Sequence, residues 1–242
     1  MPAVTPFVSG TERAVVAGAT GAIGRHCIHL LVRDPRVLSV TALIRNDIKS
    51  AEFYGLDPHR DDMNKLVHLR VDYEQNVAAQ LHGYTFSVGI SCLGFDPEMV
   101  MASACARCGV SRWSYLSGKY VRYEVNEKNH ITSGQIRDSD VLGNGDNLKS
   151  FAMINTVKPG IIVGRPSRFS GLFGTFDDAL NAMSSPLSAL PFAVHRDDVA
   201  KSMVYAVLYE EQRDRTVYDN DDIKLKAKHY EQVIDGADLA SR

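Results

Sequence analysis

Three glycines, Gly18, Gly21 and Gly24, stand at three-residue spacing after the apolar run Ala14-Val15-Val16-Ala17 and before a helical pattern. In that arrangement the first glycine lets the chain turn sharply out of a strand, the second lets the backbone approach a charged group, and the third lets the next helix pack close. The unpaired amides at the helix N-terminus then face that group, so the loop can cradle a pyrophosphate. The flanks agree with this reading. Ile23, Cys27, Leu30 and Leu31 recur at helical spacing, and a second apolar run, residues 40–44, follows as the next strand. A dinucleotide is therefore expected over Gly18, Thr20, Gly21, Ala22, Ile23, Gly24 and Arg25.

Which dinucleotide depends on the end of the second strand. An acidic residue there receives the ribose hydroxyls, whereas a basic one accommodates a 2'-phosphate. Arg45 follows Leu43-Ile44 and favours NADP(H), with Arg25 able to close on the same phosphate from the helix side. The alternative is that both are solvated surface arginines. Asp72, after the third strand, is placed to accept from the adenine amino group, and Cys92-Leu93-Gly94, after the fourth, to turn beside the nicotinamide ribose.

Those residues need a scaffold that delivers them to one edge. The patterning predicts strands at 13–17, 40–44, 67–71, 86–91, 113–116 and 153–157, with helices at 23–32, 98–107, 133–142 and 197–209. Alternation of this kind argues for an α/β fold, a Rossmann-like doubly wound parallel sheet with a small C-terminal substrate-side lobe. The 242 residues read as one domain: a nucleotide-binding core at 13–158, a C-terminal lobe at 159–218, and a polar tail at 219–242 that is mobile in part or docks on a partner. The intervals 46–65 and 164–191 are looser, and the second is expected to face the substrate.

Composition excludes several classes. A net charge of −2 with acids and bases interspersed gives no nucleic-acid footprint. No apolar segment reaches the twenty or so residues that a membrane span needs, so the chain is expected to be soluble, or peripheral to a membrane at most. The first dozen residues show neither a basic cluster nor an apolar core of the kind that marks a targeting peptide. Cys105 and Cys108 form a C-x-x-C, but the other two cysteines, Cys27 and Cys92, fall on different elements; no metal site and no disulfide is expected.

The glycine triplet, Arg45, Asp72, Cys92-Leu93-Gly94, Ser117 after the fifth strand, Lys158-Pro159-Gly160 after the sixth and Asp197-Asp198-Val199-Ala200 opening a late helix together resemble the extended and atypical short-chain dehydrogenase/reductase superfamily, over about residues 13–210. The resemblance implies that Pro159 and Gly160 help to hold the cofactor and that Ser117 stands at the active site. Two branches are similar: the Tat-interacting oxidoreductase type, which shares the Cys-Leu-Gly turn, and the NAD(P)-binding accessory subunit of mitochondrial complex I with its coenzyme Q biosynthesis relatives.

The chain departs from that superfamily in its proton-transfer machinery. The superfamily places a Tyr-x-x-x-Lys pair on a helix about a dozen residues after the serine, the Tyr as donor and the Lys lowering its pKa. Here those positions carry Asn129 and Ser133, or His130 and Gly134 in the next register. A literal match, Tyr115 to Lys119, straddles the end of a strand, where residues four apart lie about 13 Å from each other. Tyr120 or Tyr123 with Lys128, and His130 as a general acid, are the remaining donor candidates beside Ser117. Two readings follow. In the preferred one, NADP(H) is a structural or sensing ligand of an accessory subunit in a larger assembly, on the matrix side of mitochondria, with Phe169, Phe173, Phe176 and Phe192 touching neighbouring proteins or a membrane surface. In the other, those aromatics line a pocket, and the chain is a reductase of carbonyls or quinones, cytoplasmic or mitochondrial, with a non-standard donor.

Overall fold

In the computed structural model the described residues are 10–93, 95–117, 151–164, 193–211 and 215–240. Gly94, His130, Tyr120, Tyr123, Lys128, the helix expected at 133–142 and the four phenylalanines of the 164–191 interval and its border lie outside them.

A seven-stranded, wholly parallel sheet forms the centre. Its strands are β1 (Glu12–Ala17), β2 (Val37–Ile44), β3 (Leu66–Arg70), β4 (Val88–Ser91), β5 (Arg112–Leu116), β6 (Met153–Val157) and β9 (Arg215–Tyr218), in the order β3-β2-β1-β4-β5-β6-β9. Two short strands, β7 (Ile161–Val163) and β8 (Ala193–His195), pair separately. Helices α1 (Gly24–Arg33), α4 (Arg196–Leu208) and α5 (Asn220–Ala240) share one hydrophobic cluster, while α3 (Phe95–Arg107) and the single turn α2 (Val77–Gln80) contribute to another. The strand β1 explains the two clusters: Ala14 and Val16 point into the first, Val15 and Ala17 into the second. A strand buried on both faces has no polar side to show, which is why the central strands read as unbroken apolar runs.

Local choices in the sequence fit this packing. Trp113 on β5 is fully buried, and it needs Gly89 beside it on β4: a Cβ at Gly89 would stand 2.3 Å from Cζ3 of the indole. Ser114, Asn155 and Thr216 form a hydrogen-bonded row across β5, β6 and β9, with Ser114 Oγ donating to Asn155 Oδ1 at 3.1 Å and Asn155 Nδ2 donating to Thr216 Oγ1 at 2.8 Å. Pairing polar groups in this way lets them sit inside the sheet without a desolvation loss.

The C-terminal third differs from expectation. Strand β9, within residues the sequence reading gave to the lobe, is the seventh strand of the main sheet, and the polar tail forms helix α5. Ile223, Ala227 and Tyr230 of α5 are buried at steps of four and three residues, with Ile234 packed partly on the same cluster. The lysines and aspartates on the other faces dominate its composition and hide that stripe. Cys27 and the Cys105–Cys108 pair sit in clusters on opposite faces of the sheet, and burial pushes the Cys108 thiol up. Cys105 Sγ faces Met101 Sδ at 3.7 Å, and Cys108 Sγ donates to the Leu81 carbonyl at 3.4 Å, so both act as core residues.

Candidate functional site

Strand order reverses between β1 and β4: from β1 the chain builds outward through β2 and β3, then returns to build β4, β5, β6 and β9 on the other side. Loops leaving the carboxyl ends of β1 and β4 therefore diverge, and a crevice opens between them. The glycine loop leaves β1 at this point, and Cys92-Leu93 leaves β4 beside it.

Packing explains each glycine. Gly18 has φ +72°, and a Cβ there would meet the carbonyl carbon and oxygen of Cys92 at 2.8 Å. Gly21 donates its N–H to Gly18 O at 2.9 Å and closes the turn. At Gly24 a Cβ would fall 2.2 Å from Gly18 O and 2.8 Å from Gly18 C, so only glycine lets α1 begin this close to the end of β1. The residue before α1, Ile23, is buried and offers no capping side chain, and no acid stands in the first turn. The amide of Arg25 is given to Gly21 O at 3.1 Å, and no side-chain anion occupies the start of the helix, which leaves that end open to an external anion. Thr20 is exposed and Ala22 partly so, on the open side of the loop.

The remaining sequence-selected residues line the same edge. Arg45 is exposed at the end of β2, with no hydrogen bond or ion pair to another described residue, and Arg25 is half-buried on the first turn of α1. Asp72 follows β3, where Oδ1 accepts from Glu74 N at 3.0 Å and Oδ2 from Gln75 Nε2 at 2.8 Å. Its carboxylate holds a turn at the carboxyl end of the sheet. Cys92 N donates to Ala17 O at 2.9 Å, which extends the β1–β4 pairing to the lip of the crevice. Ser117 is buried at the end of β5, its N–H given to Val157 O at 2.8 Å. Pro159 and Gly160 follow β6, and Gly160 N donates to Asn220 Oδ1 at 2.8 Å, a buried side chain at the start of α5. That anchor, sixty residues away in sequence, has no local signal.

Two further findings bear on the chemistry. Tyr115 lies inside β5 with its side chain in the α3-side core, so the Tyr115–Lys119 match does not bring a phenol to the crevice. No group of three His, Cys, Asp or Glu side chains among the described residues is placed to share a metal ion, and no described helix is long and apolar enough to cross a membrane. The glycine loop, the helix start without a side-chain cap and the Cys92 lip together have the chemistry that a pyrophosphate needs.

No protein-family model matches the chain, and no curated protein matches it in sequence. Solved structures do match in fold. The PhqB reductase domain from Penicillium fellutanum superposes with a TM-score of 0.58 at 15% identity, covering 90% of this chain and 68% of that one. A short-chain type dehydrogenase/reductase from Mycobacterium ulcerans gives 0.57 at 16%, covering 90% and 91%. MoeE5 in complex with UDP-glucuronic acid and NAD gives 0.52 at 15%, covering 86% and 75%. The chain therefore shares a Rossmann-like α/β fold with these structures.

Proposed function

We propose that this chain binds NADP(H) in the crevice between β1 and β4 and holds it as a structural or sensing ligand, as an accessory subunit of a larger assembly. What supports the reading is the contrast between the glycine loop and a sequence in which no Tyr-x-x-x-Lys follows Ser117 at the superfamily's spacing. A Cβ at Gly18 or Gly24 would collide with neighbouring backbone, so the loop keeps its close packing only with glycine there. A bound dinucleotide stabilises the fold by linkage with no turnover required. Arg45 and Arg25, at the two sides of the expected 2'-phosphate, support NADP(H) over NAD(H). The cofactor found with MoeE5 supports a nicotinamide dinucleotide in general. The sequence resemblance to the complex I accessory subunit supports a mitochondrial, matrix-side home.

The test is a native separation of the assembly from its source, with identification of bound nucleotide, followed by a turnover screen. Slowly exchanging NADP(H) in a large complex is the expected result. Sustained oxidation of NADPH by aldehydes, ketones or quinones would overturn the non-catalytic part of the reading. In that case Ser117, buried at the crevice end of β5, favours a second reading, a reductase in which it binds the carbonyl while another group supplies the proton.

A further inference from the structure

At the carboxyl edge of the sheet, Ala17, Ser91, Tyr115, Thr156 and Val217 form one row across β1, β4, β5, β6 and β9. Backbone pairing continues past that row. Cys92 N donates to Ala17 O at 2.9 Å, Ser117 N to Val157 O at 2.8 Å, and Lys158 N to Tyr218 O at 2.8 Å. The turn Lys158-Pro159-Gly160 after β6 therefore stands at the same edge as the crevice lip. Strands lie about 4.8 Å apart, so β6, three places from β1 in the sheet, is about 14 Å from it. The ends of β2 and β3, which carry Arg45 and Asp72, lie on the opposite side of β1. A dinucleotide with its pyrophosphate on the glycine loop thus extends its adenosine half toward β2 and β3 and its nicotinamide half toward β5 and β6.

Both amides of the β6 turn are held by the C-terminal part of the chain. Pro159 has no N–H, Lys158 N is given to the backbone of β9, and Gly160 N to Asn220 Oδ1 at 2.8 Å. The anchor behind them is firm, because Ile223 and Tyr230 of α5 are buried in the cluster that α5 shares with α1 and α4.

Asn220 is out of keeping with its neighbours. Asp219 and Asp221 are exposed, yet Asn220 between them is only 2% exposed. Asp219 Oδ1 accepts from the amides of Asp221 and Asp222 at 3.0 and 3.2 Å, so the start of α5 is already capped by that residue. The Asn220 oxygen serves the β6 turn instead. An aliphatic side chain of similar size would fill the same space and leave the Gly160 amide without its acceptor.

We propose that Asn220 is a positioning residue of the dinucleotide site: through its bond to Gly160 N, the head of the C-terminal helix sets the β6 turn against the nicotinamide half of the cofactor. This role rests on the dinucleotide reading above.

The experiment compares NADPH with adenosine 2',5'-bisphosphate, which carries the adenosine half alone, on the full chain and on its Asn220→Ala and Asn220→Asp variants. Asn220→Ala is expected to bind NADPH roughly tenfold more weakly, the worth of one hydrogen bond, with a smaller fluorescence enhancement of the bound nicotinamide. Its affinity for the bisphosphate is expected to match that of the unaltered chain. Asn220→Asp, which keeps an acceptor oxygen, is expected to restore NADPH binding. Equal losses for the two nucleotides would show a purely structural role and overturn the proposal, as would an unchanged NADPH affinity in Asn220→Ala. NADPH affinity as low in Asn220→Asp as in Asn220→Ala would overturn the role of the acceptor oxygen. Where the alanine variant does not fold, hydrogen exchange of the unaltered chain decides. By the reciprocity of linkage, NADPH should slow amide exchange over residues 216–224 at least about threefold more than the bisphosphate does, and equal slowing would overturn the proposal. An unaltered chain that binds neither nucleotide refutes the dinucleotide reading and this role with it, a result distinct from each of those above.

Discussion

Replacing Gly24 by alanine tests the link between the glycine loop and nucleotide binding more directly than any change at a charged residue. The new Cβ would stand 2.2 Å from Gly18 O, 2.8 Å from Gly18 C and 3.1 Å from Ala19 Cα, all backbone atoms that cannot rotate away. Ordinary contact lies near 3.5 Å, so α1 must retreat from the loop by roughly 1 Å. Such overpacking costs about 1–3 kcal/mol of stability. The effect on binding is larger in kind, because the helix amides move relative to the loop that shares the pyrophosphate with them. Loss of two charge-assisted hydrogen bonds at about 1.5 kcal/mol each predicts a weakening of roughly 100-fold. The assay is the enhancement of NADPH fluorescence on titration, with a thermal melt to establish that the variant folds. Gly83→Ala is the control: Gly83 has φ +88° but nothing within 4 Å of its virtual Cβ, so that variant strains its own turn and leaves NADPH binding unchanged. A folded Gly24→Ala variant that binds NADPH within about threefold of the unaltered chain would refute the argument that this close approach builds the site.

Three other predictions follow from single contacts. Arg45→Ala is expected to weaken NADPH about 10- to 100-fold and leave NADH unchanged; parallel titrations with the two cofactors check it, and equal losses would refute a role at the 2'-phosphate. Tyr209→Phe removes the hydroxyl that donates to Asp34 Oδ2 at 2.8 Å, where Asp34 is fully buried and its pKa is raised by that burial. Chemical denaturation should show a loss of about 1.5–3 kcal/mol with NADPH affinity intact. The pKa of His26 is depressed to about 4 in the fold from an ordinary 6.5, so the unfolded chain takes up the proton first. Its contribution to stability is complete above pH 6.5 and is lost as the pH falls toward 4. Discounted for partial exposure, the loss is about 1–2 kcal/mol, and melts of His26→Gln across that window should be flatter by that amount.

The crevice was legible because its parts are local in sequence. The turn out of β1, the close approach at Gly24 and the first turn of α1 all fall within ten residues of Ala17, and the strand periodicity around them survives burial on both faces. Strand β6 coincides with the expected 153–157, and α4 opens one residue before the expected 197. Elements whose burial is decided elsewhere were harder to read. The strands β7, β8 and β9 are three or four residues long and draw their stability from partners distant in sequence. Helix α5 carries only one buried residue per turn, so its composition reads as solvent-facing although Ile223, Ala227 and Tyr230 are core.

The cluster around Asp197 lay beyond sequence reasoning for a different physical reason. His26 and His29 on α1 look like ordinary surface histidines until α4 is laid against them, and Asp197 reads as a first-turn acid that suits the helix dipole. In the fold its amide reaches His195 Nδ1 at 3.3 Å, its carboxylate stands between His195 and His26, and its Oδ1 also faces Arg196. One carboxylate facing two imidazoles and a guanidinium cannot give each a well-aligned hydrogen bond, which accounts physically for the unpaired Asp197 Oδ1 and Arg196 Nε.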